Sequence, residues 1–179
     1  MSGSLHGQRA LVTGSTRGIG MAVADALAEA GADLVLTARG TAELKTQQKT
    51  RTARHGIRAQ VLTADLADAA AVETLARAGL DSFNGLDILV NNAGISNPQP
   101  AVDIRVDSWD EVMAVNLRAP ALLAARIGQA MSAVGGGRII NIASAAGVRA
   151  LTDHYAYCTS KAGLVMAPKC SRSNSVPPE

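Results

Sequence analysis

Tyr157 and Lys161 stand four residues apart in Tyr157-Cys158-Thr159-Ser160-Lys161, and Ser144 precedes Tyr157 by thirteen residues. On a helix over residues 155–167, positions i and i+4 lie about 40° apart on one face, so a phenol and an ammonium share a surface while Cys158 faces elsewhere. Such a pair suits general acid–base chemistry. A free phenol titrates at about 10 and moves protons poorly at neutral pH, whereas an adjacent positive charge favours its phenolate. A strong effect requires a cleft from which water is largely excluded. Tyr155 supplies a second phenol, but residue 159 is Thr, so no ammonium follows it at the same spacing. Tyr/Lys pairs four residues apart also arise by chance on surface helices, so the pair has meaning only with its surroundings.

The second chemical feature is Thr13-Gly14-Ser15-Thr16-Arg17-Gly18-Ile19-Gly20, directly after the apolar run Ala10-Leu11-Val12 and directly before an Ala-rich stretch. Any tight turn can use glycine. Three glycines where a strand gives way to a helix do more, because unpaired backbone N–H groups and the positive end of the helix dipole favour a pyrophosphate there. Without side chains, the backbone can approach that anion closely.

Short apolar runs that would hold these residues recur over 10–13, 33–37, 60–63, 87–90 and 138–142. They are continuous rather than alternating, as parallel strands covered on both faces require. Helical stretches separate them over 19–30, 41–54, 68–78, 107–133 with an interruption, and 155–167. Crossovers of that length give an α/β fold with a doubly wound parallel sheet, in a chain long enough for one domain. Gly31 reads as the stop of the first helix, and Asp107 or Ser108 as the cap of the helix carrying Trp109 and Asn116.

Taken together, these segments resemble the short-chain dehydrogenase/reductase superfamily. The turn over residues 13–20 matches its GxxxGxG cofactor loop. Ala64-Asp65-Leu66 resembles the segment that recognises an adenine edge, although Asp65 alone would read as a helix cap. Asn91-Asn92-Ala93-Gly94 resembles the NNAG turn, at the carboxyl end of a parallel strand where open α/β sheets bind ligands. The resemblance implies a Rossmann-like domain that binds a nicotinamide dinucleotide through Gly14, Ser15, Thr16, Arg17, Gly18, Ile19, Gly20, Arg39, Asp65, Leu66, Asn92, Ala93, Gly94, Tyr157 and Lys161. It also implies reversible hydride transfer between the cofactor and a carbonyl or secondary alcohol. Tyr157 would exchange the proton, Ser144 polarise the oxygen, Lys161 bind the ribose and assist Tyr157, and Asn116 support a proton relay. The segment over 151–164 is similar to reductases of keto-sugars, polyols and general carbonyl compounds. At the end of the second strand, where NAD-preferring relatives carry an acid, the chain has Ala38 followed by Arg39, so NADP(H) is expected over NAD(H).

Seventeen basic and fifteen acidic side chains give a net charge of +2 without a basic block, so nucleic acid is not an expected partner and a small molecule is. No apolar stretch is long enough for a membrane span, and the chain reads as cytoplasmic. Cys158 and Cys170 lie in neither a CxxC pair nor a histidine cluster, so no metal is expected. Residues 1–167 are assigned to the dinucleotide-binding domain. Pro168 is expected to end the last helix, leaving 168–179 as an irregular tail in which Arg172 to Pro178 faintly resembles a sixth-strand segment of the family. The usual C-terminal strands and substrate lid would then be missing. An alternative expectation is therefore a catalytically impaired, dinucleotide-binding remnant, and a homo-oligomer is left open.

Overall fold

Each apolar run becomes a strand in a computed structural model that describes residues 5–172: β1 (Arg9–Thr13), β2 (Asp33–Ala38), β3 (Ala59–Thr63), β4 (Ile88–Asn91) and β5 (Arg138–Asn141). All neighbours pair in parallel in the order β3-β2-β1-β4-β5. The chain winds outward from β1 through β2 to β3, then crosses back to β4 and β5. That reversal opens a crevice above the carboxyl ends of β1 and β4, the switch point of a doubly wound sheet.

Helices α1 (Gly18–Glu29), α2 (Thr41–His55), α3 (Ala69–Ser82), α4 (Val106–Met113), α5 (Ala119–Ala133) and α6 (Tyr155–Arg172) complete the fold. Because successive strand residues point to opposite faces, Ala10, Val12, Leu34, Leu36, Ile88 and Val90 form one core with Ala24, Ala28 and Leu44 of α1 and α2. Leu11, Val35 and Leu89 point the other way, into Val72, Leu75 and Ala76 of α3 and Leu123, Ile127 and Met131 of α5. Both faces are covered, which is why the runs have no polar alternation. Burying each Leu or Ile side chain contributes about 1.5–3 kcal/mol before entropy is counted. β5 is less covered: Ile139 and Ile140 remain 40% and 45% exposed.

The turn after α1 follows the expectation for Gly31. Its φ is 91°, its N–H bonds the Ala28 carbonyl, and the Ala32 N–H bonds the Leu27 carbonyl, closing the helix end with the paired bonds of a Schellman turn. Two expectations are corrected. α4 begins at Val106 after Arg105, which makes no side-chain cap; Asp107 lies inside the first turn, pairs with Arg105, and accepts a bond from the Ser108 N–H. Pro168 does not end the last helix, which continues to Arg172. A proline within a helix removes one i→i−4 bond and tends to kink the rod, but bonds on either side can carry the helix past it. Residues 168–172 are therefore helical rather than irregular, and 173–179 lie outside the described residues. No helix among the described residues is long and apolar enough to cross a membrane.

Candidate active site

The glycine turn crosses the carboxyl end of β1. Gly14 and Gly18 have φ of 63° and 55°, a left-handed backbone that side-chain-bearing residues seldom adopt. A Cβ on Gly20 would lie 2.3 Å from both the Asn92 Nδ2 and the Gly14 carbonyl oxygen, so only glycine lets α1 start this close to the turn after β4. A Cβ on Gly18 would meet nothing within 4 Å, since its backbone borders open space. Asn92 stitches the two strand ends together: its Nδ2 donates to the carbonyls of Thr13 (2.9 Å) and Gly14 (3.2 Å). The Thr13 Oγ1 accepts from the N–H groups of Asn92 (2.9 Å) and Ala93 (3.0 Å) and donates to the Val90 carbonyl.

Above these ends lies a cleft of about 730 Å³. Its walls include Gly14, Thr16, Arg17, Gly18 and Ile19 from the glycine turn; Ala38 and Arg39 after β2; Asp65 and Leu66 after β3; and Asn92, Ala93 and Gly94 after β4. Four predicted contacts, Ser15, Gly20, Tyr157 and Lys161, are not among the lining residues. Ser15 is fully buried, with its N–H and Oγ both directed at the Thr37 carbonyl, and Gly20 packs on Asn92. Asp65 does not cap α3. Asp68 does, accepting from the Ala70 N–H, while the exposed Asp65 carboxylate holds a short turn by accepting from the Ala67 N–H. Arg17 and Arg39 form no ion pair among the described residues. Glu43, which sequence reasoning missed, brings a carboxylate to the same wall.

Helix α6 contributes no lining residue and meets the cleft wall from behind Gly94. Lys161 is only 4% exposed; its Nζ donates to the Ile142 carbonyl at 2.8 Å, just beyond β5, and lies 5.8 Å from the centre of the Tyr157 ring. Burial pushes the Lys161 ammonium below the usual lysine range. Gly94 brings the cleft wall onto this group: a Cβ there would come within 3.3 Å of the Asn116 Oδ1 and 3.5 Å of the Lys161 Nζ. Ser144 caps the short 3-10 turn Ala145–Gly147, its Oγ accepting from the Ala146 N–H at 3.1 Å. That bond uses an acceptor lone pair and leaves the hydroxyl hydrogen free to donate. The same turn packs on α6 closely enough that a Cβ on Gly147 would lie 2.8 Å from the Lys161 backbone.

Asn116 explains the interruption between α4 and α5. It sits in a π turn, Ala114–Arg118, and is fully buried. Its Oδ1 accepts from the Ile95 N–H (2.9 Å), and its Nδ2 donates to the Ile95 carbonyl (2.8 Å) and the Ser160 Oγ (3.1 Å). Ser160 in turn donates to the Tyr157 carbonyl. The amide thus fastens the loop after β4 to the helix carrying Tyr157 and Lys161. Wide helical turns of this kind recur at functional sites. Ser160 and Thr13 were not anticipated as site residues. Their only signal was position, one residue before Lys161 and one before Gly14.

The residues fit a dinucleotide: a left-handed glycine cradle open to the cleft, a helix N-terminus behind it, and a buried Thr37 hydroxyl on the cleft wall with no hydrogen-bond partner among the described residues. No group of three or more His, Cys, Asp or Glu gathers into a metal site among the described residues.

Comparison with known proteins agrees with this geometry. The chain is 40% identical to D-threitol dehydrogenase of Mycolicibacterium smegmatis over 168 residues, covering 92% of this chain and 63% of that protein. It thus spans less than two thirds of that curated relative's length. A metagenomic short-chain oxidoreductase solved in complex with NADP superposes with a TM-score of 0.88 at 40% identity, covering 94% of this chain and 76% of that one. L-sorbose reductase from Gluconobacter frateurii, complexed with NADPH and L-sorbose, gives 0.92 at 32% identity, over 97% and 66%. The short chain dehydrogenase family model matches residues 8–176. The chain belongs to the short-chain dehydrogenase family.

Proposed function

We propose that this chain carries the cofactor-binding and acid–base machinery of an NADP(H)-dependent oxidoreductase that interconverts a secondary alcohol and a carbonyl compound. The observation that carries the reading is the buried Lys161 ammonium, tied to the Ile142 carbonyl and 5.8 Å from the centre of the Tyr157 ring, beside Gly94, which lines the same cleft as the glycine cradle. When bound, the nicotinamide supplies or accepts the hydride. The protein's own contribution is position and charge.

Tyr157 gives a proton to the substrate oxygen in reduction and takes it back in oxidation. The fixed charge of Lys161 stabilises the oxyanion this leaves, and water-poor surroundings strengthen that effect. The free hydroxyl hydrogen of Ser144 donates to the same substrate oxygen. Both donor hydrogens of the Asn116 amide are already committed, so its part is to hold Ile95 and Ser160, keeping the relay's frame in register with α6.

Arg39, with Arg17, supports a 2′-phosphate on the cofactor, since both guanidiniums border the cleft without an ion pair among the described residues and no acid stands at position 38. The names of the relatives favour a polyol or keto-sugar substrate: one acts on D-threitol and another was solved with L-sorbose. The test is NADPH consumption over a panel of ketones and keto-sugars, with cofactor binding measured in parallel. Tyr157→Phe is expected to lower turnover about 100- to 10,000-fold while cofactor affinity stays within about twofold. Unchanged turnover in that variant refutes the role given to Tyr157. Cofactor binding by the wild-type chain without any turnover refutes the catalytic reading.

A further inference from the structure

The loop after β3 brings Asp65 and Leu66 to the cleft wall. Among the described residues, the hydrogen bonds of residues 65–68 stay within that loop and the start of α3, with one exception. The Ala67 N–H is held by the Asp65 carboxylate (3.0 Å), the Asp68 N–H by the Asp65 carbonyl (3.2 Å), and Asp68 caps α3. The exception is the Ala67 carbonyl, which accepts from the Nη2 of Arg118, 51 positions away. Arg118 is exposed and makes no ion pair among the described residues, so this charge-assisted bond is its one side-chain partnership there. It is also the last residue of the π turn that holds Asn116. That turn serves three places at once. Val115 lines the cleft and packs against the core to which Leu66 belongs. Asn116 holds the N–H and the carbonyl of Ile95 and the Ser160 Oγ, and Arg118 holds Ala67. A continuous run of bonds thus leads from Asp65 through Ala67, Arg118 and the π turn to Ile95 and to Ser160 of α6.

We propose that Arg118 is a positioning residue that couples the loop after β3 to the helix carrying Tyr157 and Lys161. A ligand seated against Asp65 and Leu66 fixes the Ala67 peptide, and Arg118 passes that restraint to the π turn and so to the Asn116 bonds with Ile95 and Ser160. Binding energy from a part of the cofactor that does not react is thereby spent on ordering the reacting centre, and it appears in turnover as well as in affinity. The inference rests on the oxidoreductase reading and adds to it a residue outside the cleft lining.

The probe is 2′,5′-ADP, which carries the adenosine and its 2′-phosphate without the nicotinamide. Amide hydrogen exchange at Ile95, followed by NMR, reads the far end of the run directly, because the Ile95 N–H donates to the Asn116 Oδ1. Saturating 2′,5′-ADP is expected to slow that exchange about fivefold in the wild type and less than about twofold in Arg118→Met, which keeps the stem and removes the donors. Arg118→Lys, with a charged donor restored, should fall between them. The Kd of 2′,5′-ADP, measured by calorimetry, should stay within about threefold across the set, while kcat with saturating NADPH drops about fivefold in Arg118→Met. An arginine that merely braced the loop would instead raise Kd and KM and leave kcat alone. That pattern, or 2′,5′-ADP binding without slower Ile95 exchange in the wild type, or equal slowing in wild type and Arg118→Met, overturns the coupling and leaves the oxidoreductase reading intact. If neither 2′,5′-ADP nor NADPH binds the wild type, the oxidoreductase reading fails and this inference fails with it. A wild type that binds both but turns nothing over sinks the catalytic reading alone, and the exchange measurement still decides the coupling. Should Arg118→Met not fold by thermal shift, the wild type and Arg118→Lys decide by the same exchange ratio.

Discussion

The two ends of the strands, the amino edge and the carboxyl edge of the sheet, treat charge in opposite ways. Where strands begin, charges are consumed locally. Arg9 grips Asp87 through its Nε (2.8 Å), Nη2 (2.9 Å) and backbone N–H, while its Nη1 reaches the Phe83 and Asn84 carbonyls. Asp33, at the start of β2, takes both the backbone N–H and the guanidinium of Arg58. Where strands end, and among the described residues, Arg17, Arg39 and Glu43 border the cleft without an ion pair and the Thr37 hydroxyl is buried without a partner. One edge clamps the fold, and on the function proposed above the other keeps its groups free for a ligand. Changes at the first edge should therefore cost stability and spare binding, with the reverse at the second.

The largest break of that contrast is Gly20→Val. A Cβ there meets backbone at 2.3 Å and must push apart the glycine turn and the Asn92 stitch. Overpacking of this kind costs about 1–3 kcal/mol in stability, and displaced cradle N–H groups should weaken dinucleotide binding more than about tenfold, both measurable by thermal shift with and without NADPH. Cofactor affinity equal to wild type would mean that the cradle holds nothing.

Arg9→Ala probes the other edge. Losing charge-assisted bonds to a partly buried carboxylate should cost about 1–3 kcal/mol, with cofactor affinity unchanged. The Arg9 guanidinium holds the Asp87 carboxyl below its ordinary range. In the wild type the unfolded chain therefore binds the proton first, and the stability this provides is fully present above the ordinary carboxylate value of about 3.9. It disappears as the pH falls from there through the lowered folded value. The Tm gap between wild type and Arg9→Ala should thus be constant near neutrality and narrow on acidification, as calorimetry over pH would record.

The smallest effect sharpens the comparison. Arg39→Ala should weaken NADP(H) binding about tenfold and leave NAD(H) binding and Tm nearly unchanged, whereas Glu43→Gln should strengthen NADP(H) binding by a few-fold. Titration of both cofactors at fixed ionic strength distinguishes these outcomes, because exposed charges are screened by salt. An unchanged NADP(H)/NAD(H) ratio in Arg39→Ala would remove the basis for the cofactor preference.

Much of the frame was legible from local pattern. Strands covered on both faces have no alternative to continuous apolar runs, and Gly31 marks a helix end because a left-handed residue is needed there. That Tyr157 and Lys161 share one helix was legible by spacing. What escaped depends on partners distant in sequence. The Thr13 hydroxyl serves N–H groups on Asn92 and Ala93, and Ser160 finds Asn116 forty-four positions away. Ser15 turns inward because the Thr37 carbonyl lies across the turn, which no local periodicity encodes. Pro168 misled for the opposite reason: a local rule about one lost bond was outweighed by the helix on either side.

The wide turn at Ala114–Arg118 leaves the angular phase of α5 almost untouched. Leu123, Ile127 and Met131 recur every four residues down one side of that helix and are buried together. A π turn closes i→i+5 bonds where an α turn closes i→i+4, so it takes in one extra residue and leaves the helix on either side in nearly the same phase. Deleting one residue from it would give a regular helix that keeps this stripe on the sheet but withdraws the widened backbone from which the Asn116 amide reaches Ile95. The surplus residue therefore serves the crevice alone, and the hydrophobic packing of α5 is indifferent to it.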